Sequence, residues 1–135
     1  MRMFDTNDQP LEMHAVSQNG DLYIILRGEL VRGAGRQVEH LIAQHFNPDM
    51  QRLMINLREV RFIDSAGVGM LVAQKVRCAR HGIQFVVLEP SEFIGHLFAV
   101  GHLQQVFSIM ASTEALPLRE QFESSTSFRP ESIGA

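Results

Sequence analysis

Short apolar runs alternate along the chain with segments in which apolar residues recur every three or four positions. The first two runs, residues 12–17 and 21–28, are strand-like and are separated by Asn19-Gly20. Both residues of an Asn-Gly pair accept the positive φ angles of a tight hairpin turn, which makes this pair the strongest short hairpin signal. The pattern therefore predicts an opening β-hairpin.

Helical periodicity follows the hairpin. Apolar residues at helical spacing predict an amphipathic helix over residues 34–46, ended by an Asn-Pro-Asp sequence at 47–49. The compact apolar run at residues 53–57 is typical of a buried strand, and a short polar turn is expected after it. A second apolar stripe predicts a helix over residues 66–80. Its end is indicated by cations in the last turns and by Gly82, which can supply a left-handed cap.

The rest of the pattern repeats a strand followed by a helix. The predicted elements are a strand over residues 83–88, a helix capped by Ser91 and ended by Gly101, a strand over residues 106–110, and a helix from Ser112 or Thr113 to about Phe122. Strands that alternate with helices favour a parallel sheet covered by helices. We therefore predict the α/β class, with a mostly parallel central sheet, an antiparallel N-terminal strand and about four helices.

The chain of 135 residues is long enough for one domain with a substantial core and too short for two. Residues 1–11 show no sustained period and are interpreted as an irregular N-terminal segment. Residues 124–135 begin with a Ser-Ser-Thr-Ser sequence and lack a repeating apolar face, so we expect a flexible tail. The folded domain is predicted to span residues 12–123.

Composition and charge exclude several classes of protein. The net charge is −3, and eleven of the twelve basic residues are arginines spread along the chain, so no basic patch favours nucleic acid. Cys78 is the only cysteine, which excludes an internal disulfide. No stretch approaches the roughly 18 uninterrupted apolar residues of a membrane span, and no charged leader precedes an apolar stretch. The expected location is therefore the cytoplasm, without membrane insertion.

The candidate functional point is the sequence Asp-Ser-Ala-Gly-Val-Gly at residues 64–69, where a strand passes into a helix. Ser65 is predicted as the helix N-cap, and two glycines in the first turn let another backbone or surface come close. Such a helix start favours an anion, so the fold would tolerate a phosphate on Ser65. That phosphate would add about −1.5 to −2 charges beside Asp64 and would repel a partner that fits the unmodified end. The structural alternative is that Ser65 is only a cap.

The residues give little support for catalysis, metal binding or nucleotide binding. A nucleophile elbow needs Gly-x-Ser-x-Gly, and Ile63 stands where the first glycine belongs, so we expect no enzyme activity. The six histidines lack a Cys partner or a His-x-x-x-His pair on one helix face, so no metal site is expected. Neither glycine-rich nucleotide-binding motif is present, and no cofactor is expected.

The stretch from Leu57 to Leu71 resembles the signature of the STAS domain, typified by bacterial anti-sigma-factor antagonists. In that signature a hydrophobic strand delivers Asp-Ser-(Ser/Ala)-Gly-(Leu/Val)-Gly, and this chain has Asp-Ser-Ala-Gly-Val-Gly at 64–69. The resemblance covers about 110 residues in the same order of elements. Supporting matches are Gly28-Glu29-Leu30, Arg80-His81-Gly82, residues 85–90 followed by Ser91, and residues 101–107.

The resemblance implies a regulatory switch in signal transduction and transcription regulation. In the family, the serine that matches Ser65 is phosphorylated by a partner serine kinase that is also an anti-sigma factor, and a PP2C-type phosphatase reverses the modification. The unmodified domain binds the anti-sigma factor and so releases the sigma factor, whereas phosphorylation abolishes the binding. The partner-binding residues implied here are Glu29, Leu30, Val31, Arg32, Asp64, Ala66, Gly67, Val68 and Gly69. Whether the chain forms a homodimer is left open.

One departure from the family pattern keeps a second interpretation open. The family usually has an aspartate where this chain has Val31, and the sequence that follows contains two cations, Arg32 and Arg36, which can pair with a phosphoserine or remain solvated. The alternative function is a constitutive STAS scaffold subunit of a signalling or transport complex, in which Ser65 is only a helix cap. A phosphate on Ser65 distinguishes the two functions.

Overall fold

Asn19 and Gly20, with φ angles of 56° and 85°, turn the chain between the first two strands, as the sequence predicted. The computed structural model describes residues 11–111. Its elements are β1 (Leu11–Gln18), β2 (Asp21–Leu30), α1 (Ala34–His45), β3 (Arg52–Ile63), α2 (Ser65–Arg80), β4 (Gln84–Leu88), α3 (Glu92–Val100), a 3-10 turn (Leu103–Gln105) and β5 (Ser108–Met110).

The five strands form one sheet in the order β1-β2-β3-β4-β5. β1 pairs with β2 in antiparallel fashion, and the other neighbours are parallel. Each parallel connection passes through a helix, since strands of the same direction cannot be joined by a tight turn. The predicted α/β class with an antiparallel N-terminal strand is confirmed.

The helix count differs from the prediction. The described residues contain three α-helices rather than about four. The expected helix between residue 112 and about residue 122 lies outside the described residues, as do residues 1–10 of the expected irregular segment and the expected tail at 124–135. Leu11, which we assigned to the irregular segment, begins β1.

β3 is longer than the sequence predicted. The expected polar turn after residue 57 is wrong, because the strand continues to Ile63. Its second half remains paired with β2, from Arg27 opposite Glu59 to Leu30 opposite Ile63, with two irregularities in the register. β4 pairs only with residues 52–56 of β3. The polar side chains at positions 58, 59 and 61 therefore face solvent, while the backbone of this part of β3 stays paired with β2.

The core lies largely between the helices and one face of the sheet. β2 shows the alternation that a strand requires, because Leu22, Ile24 and Leu26 join the large cluster beneath the helices while Tyr23 joins a smaller one. In the smaller cluster, the Asn56 side-chain amide donates to the Tyr23 hydroxyl over 3.1 Å. Beyond this cluster the pairing of β2 with β3 continues to Leu30 and Ile63, where the candidate site lies.

Candidate functional site

The site forms where β2 and β3 end side by side. Ile63 is the last residue of β3, Asp64 connects it to α2, and the Asp64 N–H donates to the Leu30 carbonyl over 3.3 Å. The loop that leaves β2 is therefore held against the start of α2. In an open α/β sheet, binding sites gather at the carboxyl ends of the strands, and this pair of ends is such a place.

The N-cap of α2 is Asp64 and not Ser65, which corrects the sequence prediction. Asp64 has extended backbone angles (φ −104°, ψ −177°), and its Oδ1 accepts from the Gly67 N–H over 2.9 Å. Its Oδ2 accepts from the Arg32 N–H over 3.1 Å. A carboxylate is favoured over a hydroxyl here, because it accepts two amides at once beside the positive end of the helix.

These hydrogen bonds also set the charge of the cap. The N–H of Gly67 holds the pKa of the Asp64 carboxyl below its usual range; partial burial opposes the shift, and the N–H of Arg32 adds to it. The carboxylate is therefore ionised at neutral pH. It ties the loop after β2 to the first turn of α2 through a single side chain.

Ser65 occupies the first position of the helix and is exposed. Since Asp64 accepts the capping hydrogen bond, the Ser65 hydroxyl is not the capping group. Ala66 and Gly69 are also exposed, and a Cβ added to Gly69 would meet nothing within 4 Å. The start of α2 thus presents a hydroxyl beside small residues, with open space in front of them.

Gly67 faces the interior instead. A Cβ on Gly67 would lie 2.5 Å from the Leu30 carbonyl oxygen and 2.7 Å from Cγ1 of Ile63. The first glycine of the motif therefore lets α2 approach the end of β2, whereas Gly69 leaves an outward surface open. The expectation that a glycine here permits close approach of a backbone is met within the protein itself.

The residues implied as partner-binding divide into reachable and supporting ones. Arg32, Ala66 and Gly69 are exposed, and Glu29, Val31, Asp64 and Val68 are half-buried. Leu30 is fully buried, and Gly67 is buried. The first two sets are therefore accessible at the surface, while Leu30 and Gly67 pack between the end of β2 and the start of α2.

The loop between β2 and α1 brings two cations to the same end of the molecule. Arg32 has a left-handed backbone conformation (φ 50°), which aims its N–H at Asp64. Arg36 lies in the first turn of α1, and both residues line a groove of about 360 Å³ together with Ala66 and Gly69. The fold thus brings these arginines to the residues that flank the candidate serine, with Arg32 hydrogen-bonded to Asp64 and both arginines in one groove with Ala66.

Two exposed phenylalanines near the site were missed as a pair by the sequence analysis. Phe62 and Phe93 are 43% and 47% exposed and stack with ring centroids 5.9 Å apart. Phe93 follows Ser91, whose hydroxyl accepts from the Ile94 N–H and donates to the Val60 carbonyl, so the predicted cap of α3 is confirmed. The exposed phenylalanine just before Asp64 was the available signal, but periodicity alone did not show that the two rings meet.

Within residues 11–111, no group of three or more His, Cys, Asp or Glu side chains is arranged to hold a metal ion. None of the helices in the described part of the chain is both long enough and apolar enough to cross a membrane.

Comparisons with known proteins agree with this architecture. The family model of the STAS domain matches residues 12–116. No curated protein matches the chain. Its fold is similar to that of the anti-sigma factor antagonist SpoIIAA in its unphosphorylated form, with a TM-score of 0.65 and 19% identity, covering 81% of this chain and 96% of that chain.

Two further solved structures are similar to the chain, with comparable TM-scores and sequence identities. One is the Bacillus cell fate determinant SpoIIAA in the phosphorylated form (TM-score 0.60, 20% identity, 78% of this chain and 96% of that chain). The other is an anti-sigma factor antagonist from Mycobacterium paratuberculosis (TM-score 0.61, 19% identity, 73% of this chain and 84% of that chain). At these identities the likeness shows the fold alone.

Proposed function

This chain belongs to the STAS domain family, and on that premise we propose that it is a partner-switching regulator similar to the anti-sigma-factor antagonists. In its unmodified form it binds a partner that is both an anti-sigma factor and a serine kinase. Phosphorylation of Ser65 releases the partner, and a PP2C-type phosphatase restores binding. The domain works in the cytoplasm as a binding module, without catalysis of its own.

The observation that carries the proposal is the exposure of Ser65 at the first position of α2, next to a cap that Asp64 supplies. A kinase can reach an exposed hydroxyl, and modification of this one does not remove the hydrogen bond that caps the helix. The residue can therefore change charge while the fold around it stays intact. Reversible switching requires this property.

Electrostatics supplies the switch. A phosphate on Ser65 adds about −1.5 to −2 charges directly beside the ionised carboxylate of Asp64. A partner surface that fits the small residues at the unmodified start of the helix then meets repulsion and the cost of burying the phosphate. SpoIIAA, whose fold this chain shares, has been solved in both an unphosphorylated and a phosphorylated form.

The contact surface follows from exposure at the site. Ala66 and Gly69 offer a flat approach to the backbone of α2, and Arg32 and Glu29 border it on the β2 side. Leu30 and Gly67 support this surface from within. We propose that the partner covers the Ser65 hydroxyl when it is bound, so that added charge there acts on binding directly.

The proposal is tested by comparing Ser65→Asp with Ser17→Asp for binding to the anti-sigma serine kinases of the source organism. Ser17 is also exposed but lies next to the hairpin turn, at the opposite end of β2 from the site, so it carries the same charge change away from the contact surface. We expect Ser65→Asp to weaken binding by at least about a hundredfold, which is about 2.7 kcal/mol. Ser17→Asp should bind like the unaltered protein in a calorimetric titration.

A phosphosite map of the protein isolated from its own cells completes the test, with Ser65→Ala as the control. A phosphate that changes with growth and stress conditions, and is lost in Ser65→Ala, is the expected result. Unchanged partner affinity in Ser65→Asp, together with no phosphate on Ser65 under any condition, would overturn the switch. A partner retained under those conditions would then assign the chain to the constitutive scaffold class.

A further inference from the structure

The groove between the first turns of α1 and α2 lies beside the candidate phosphorylation site. Arg32 and Arg36 line it from the α1 side, and Ala66 and Gly69 line it from the α2 side. The two helices meet closely here, because a Cβ on Gly35 would lie 3.3 Å from the Met70 Cβ and 3.8 Å from the Ala66 carbonyl oxygen. The groove is therefore a fixed feature of the packing of α1 on α2.

Both chain neighbours of Ser65 contact this groove or a residue that lines it. The preceding residue, Asp64, accepts a hydrogen bond from the Arg32 N–H, and the following residue, Ala66, lines the groove. Gly69 is four residues after Ser65, and residues at that spacing share one face of a helix. Gly69 carries no side chain that could separate Ser65 from the groove that Arg32 and Arg36 line.

The two arginines differ from the other cations at this end of the sheet. Arg27, Arg58 and Arg61 each have a carboxylate within 4.0 Å. Within residues 11–111, the guanidinium groups of Arg32 and Arg36 make no such ion pair. They are exposed cations that an added anion can engage without breaking an existing pair.

The helix starts add to the same positive field. Neither α1 nor α2 has an acidic residue in its first turn, and α1 has no side-chain cap. The positive ends of both helices therefore converge on the groove with only Asp64 as a capping carboxylate. Two carboxylates oppose an incoming anion: Asp64, which is already held by two backbone amides, and Glu39, which lines the groove from α1.

We infer that Arg32 and Arg36 form an intramolecular clamp for the phosphate group on Ser65. In the phosphorylated protein the phosphate turns into the groove and accepts charge-assisted hydrogen bonds from the two guanidinium groups. The inference rests on the proposed function only for the presence of the phosphate. It assigns to the sequence at 32–36 a role in holding the modified state, directly after Val31, where the family usually carries an aspartate.

The clamp has two consequences for the switch. It holds the phosphate in one position against the helix start, so the modified state presents a defined surface. It also occupies Arg32, which borders the surface proposed for the partner. Phosphorylation therefore withdraws a cation from the contact surface in addition to placing a negative charge there.

The test uses the full chain with phosphoserine incorporated at position 65 during synthesis, so that no kinase is needed. The second ionisation of the phosphate is followed by 31P NMR titration at low and physiological salt. Phosphoserine ordinarily ionises with a pKa of about 6. We expect a pKa lower by about half a unit or more in the unaltered chain, since nearby cations favour the dianion, and a smaller shift at higher salt because the groups are exposed.

Matched variants separate the clamp from general charge effects. In the double variant Arg32→Gln, Arg36→Gln the pKa should rise back toward the ordinary value, whereas Arg80→Gln should leave it unchanged. Arg80 is an exposed arginine in the last turn of α2, so its loss removes one positive charge, as each single arginine substitution does, at a position far from Ser65. The one-dimensional proton spectrum of each variant reports retention of the fold.

An equal pKa in the unaltered chain and the double variant would overturn the clamp, as would an equal response to Arg80→Gln. This outcome is independent of the partner. If phosphorylation releases the partner but the pKa does not depend on Arg32 and Arg36, the proposed function stands and the clamp fails. If the pKa depends on both arginines but the affinity for the partner does not change with phosphorylation of Ser65, the clamp stands and the proposed function fails.

Discussion

Asp64 and Ser65 are neighbours at the start of α2 with separate tasks. Asp64 accepts the Gly67 and Arg32 amides, so it holds the helix start to the loop after β2. Ser65 stands one residue further along and faces solvent. Because the capping bond belongs to the carboxylate, the hydroxyl is available for modification at no cost to the helix. A regulatory serine that also served as the cap would couple every phosphorylation to a change in helix stability.

This division predicts unequal effects of two alanine substitutions. Asp64→Ala should lower the free energy of unfolding by about 1–2 kcal/mol, because it removes an N-cap acceptor. Ser65→Ala should change it by less than about 0.5 kcal/mol, since the residue is exposed and outside the cap. Urea denaturation monitored by circular dichroism measures both. A larger loss of unfolding free energy in Ser65→Ala than in Asp64→Ala would mean that Ser65, and not Asp64, caps the helix.

The cap also predicts a pH dependence of stability. Asp64 has a folded-state pKa below its ordinary value, chiefly because of the Gly67 N–H. Its contribution is therefore fully present above the unfolded-state pKa of about 3.9 and is lost as pH falls through the folded value. The difference in unfolding free energy between the unaltered chain and Asp64→Asn should shrink as pH falls below about 4. A difference that stays constant down to pH 2 would contradict a charged cap.

At the scale of elements, the contact between α2 and the end of β2 decides the shape of the site. Gly67 allows the Leu30 carbonyl and the Ile63 side chain to approach the helix backbone directly. The same contact requires β3 to remain paired with β2 as far as Ile63. The extended β3 and the small helix start are thus two parts of one arrangement that delivers Ser65 to the surface.

The glycine pair of the motif tests this contact. Gly67→Ala should destabilise the fold by about 1–3 kcal/mol, because the new methyl group overlaps backbone that cannot move without breaking the strand pairing. Gly69→Ala is the matched control: its methyl group enters open space, and alanine is favoured over glycine within a helix by about 1 kcal/mol. Thermal and urea unfolding of the two variants should therefore shift in opposite directions. Equal responses would mean that α2 does not pack against β2 in this way.

At the scale of the whole molecule, the helices and one face of the mixed sheet bury a large core that is distinct from the smaller cluster around Tyr23. Cys78 lies in that core on the inner face of α2, and burial raises the pKa of its thiol to about 11. Arg77 opposes the shift without cancelling it. The thiol therefore reports on whether α2 stays docked on the sheet.

Thiol labelling is the corresponding measurement. A thiol shifted from 9.0 to about 11 has about a hundredfold less thiolate at neutral pH, and burial also hinders access of the reagent. Alkylation of the folded protein at pH 8 should thus be at least about a hundredfold slower than in urea. Since Cys78 is the only cysteine of the chain, Cys78→Ser gives the background directly. Equal rates in the folded and urea-unfolded protein would place α2 away from the core.

Two local predictions failed, for different reasons. The helix start was displaced by one residue, because aspartate and serine are both good caps and periodicity does not separate adjacent positions. The polar residues after position 57 looked like a turn, because the pairing that keeps them in a strand comes from β2, about thirty residues earlier.

The sequence by itself determined the opening hairpin, the alternation of strands and helices, the α/β class, the likeness to the STAS family and the position of the candidate serine. Each of these follows from local signals, since turn residues and apolar periodicity act within a few residues. Only the tertiary structure decided that Asp64 caps α2, that Gly67 packs against Leu30, and that Arg32 and Arg36 share a groove with the start of α2. Asp64 also accepts from the Arg32 N–H, so each of these arrangements joins segments thirty or more residues apart. Their geometry exists only once the strands have paired and the two helices have packed together.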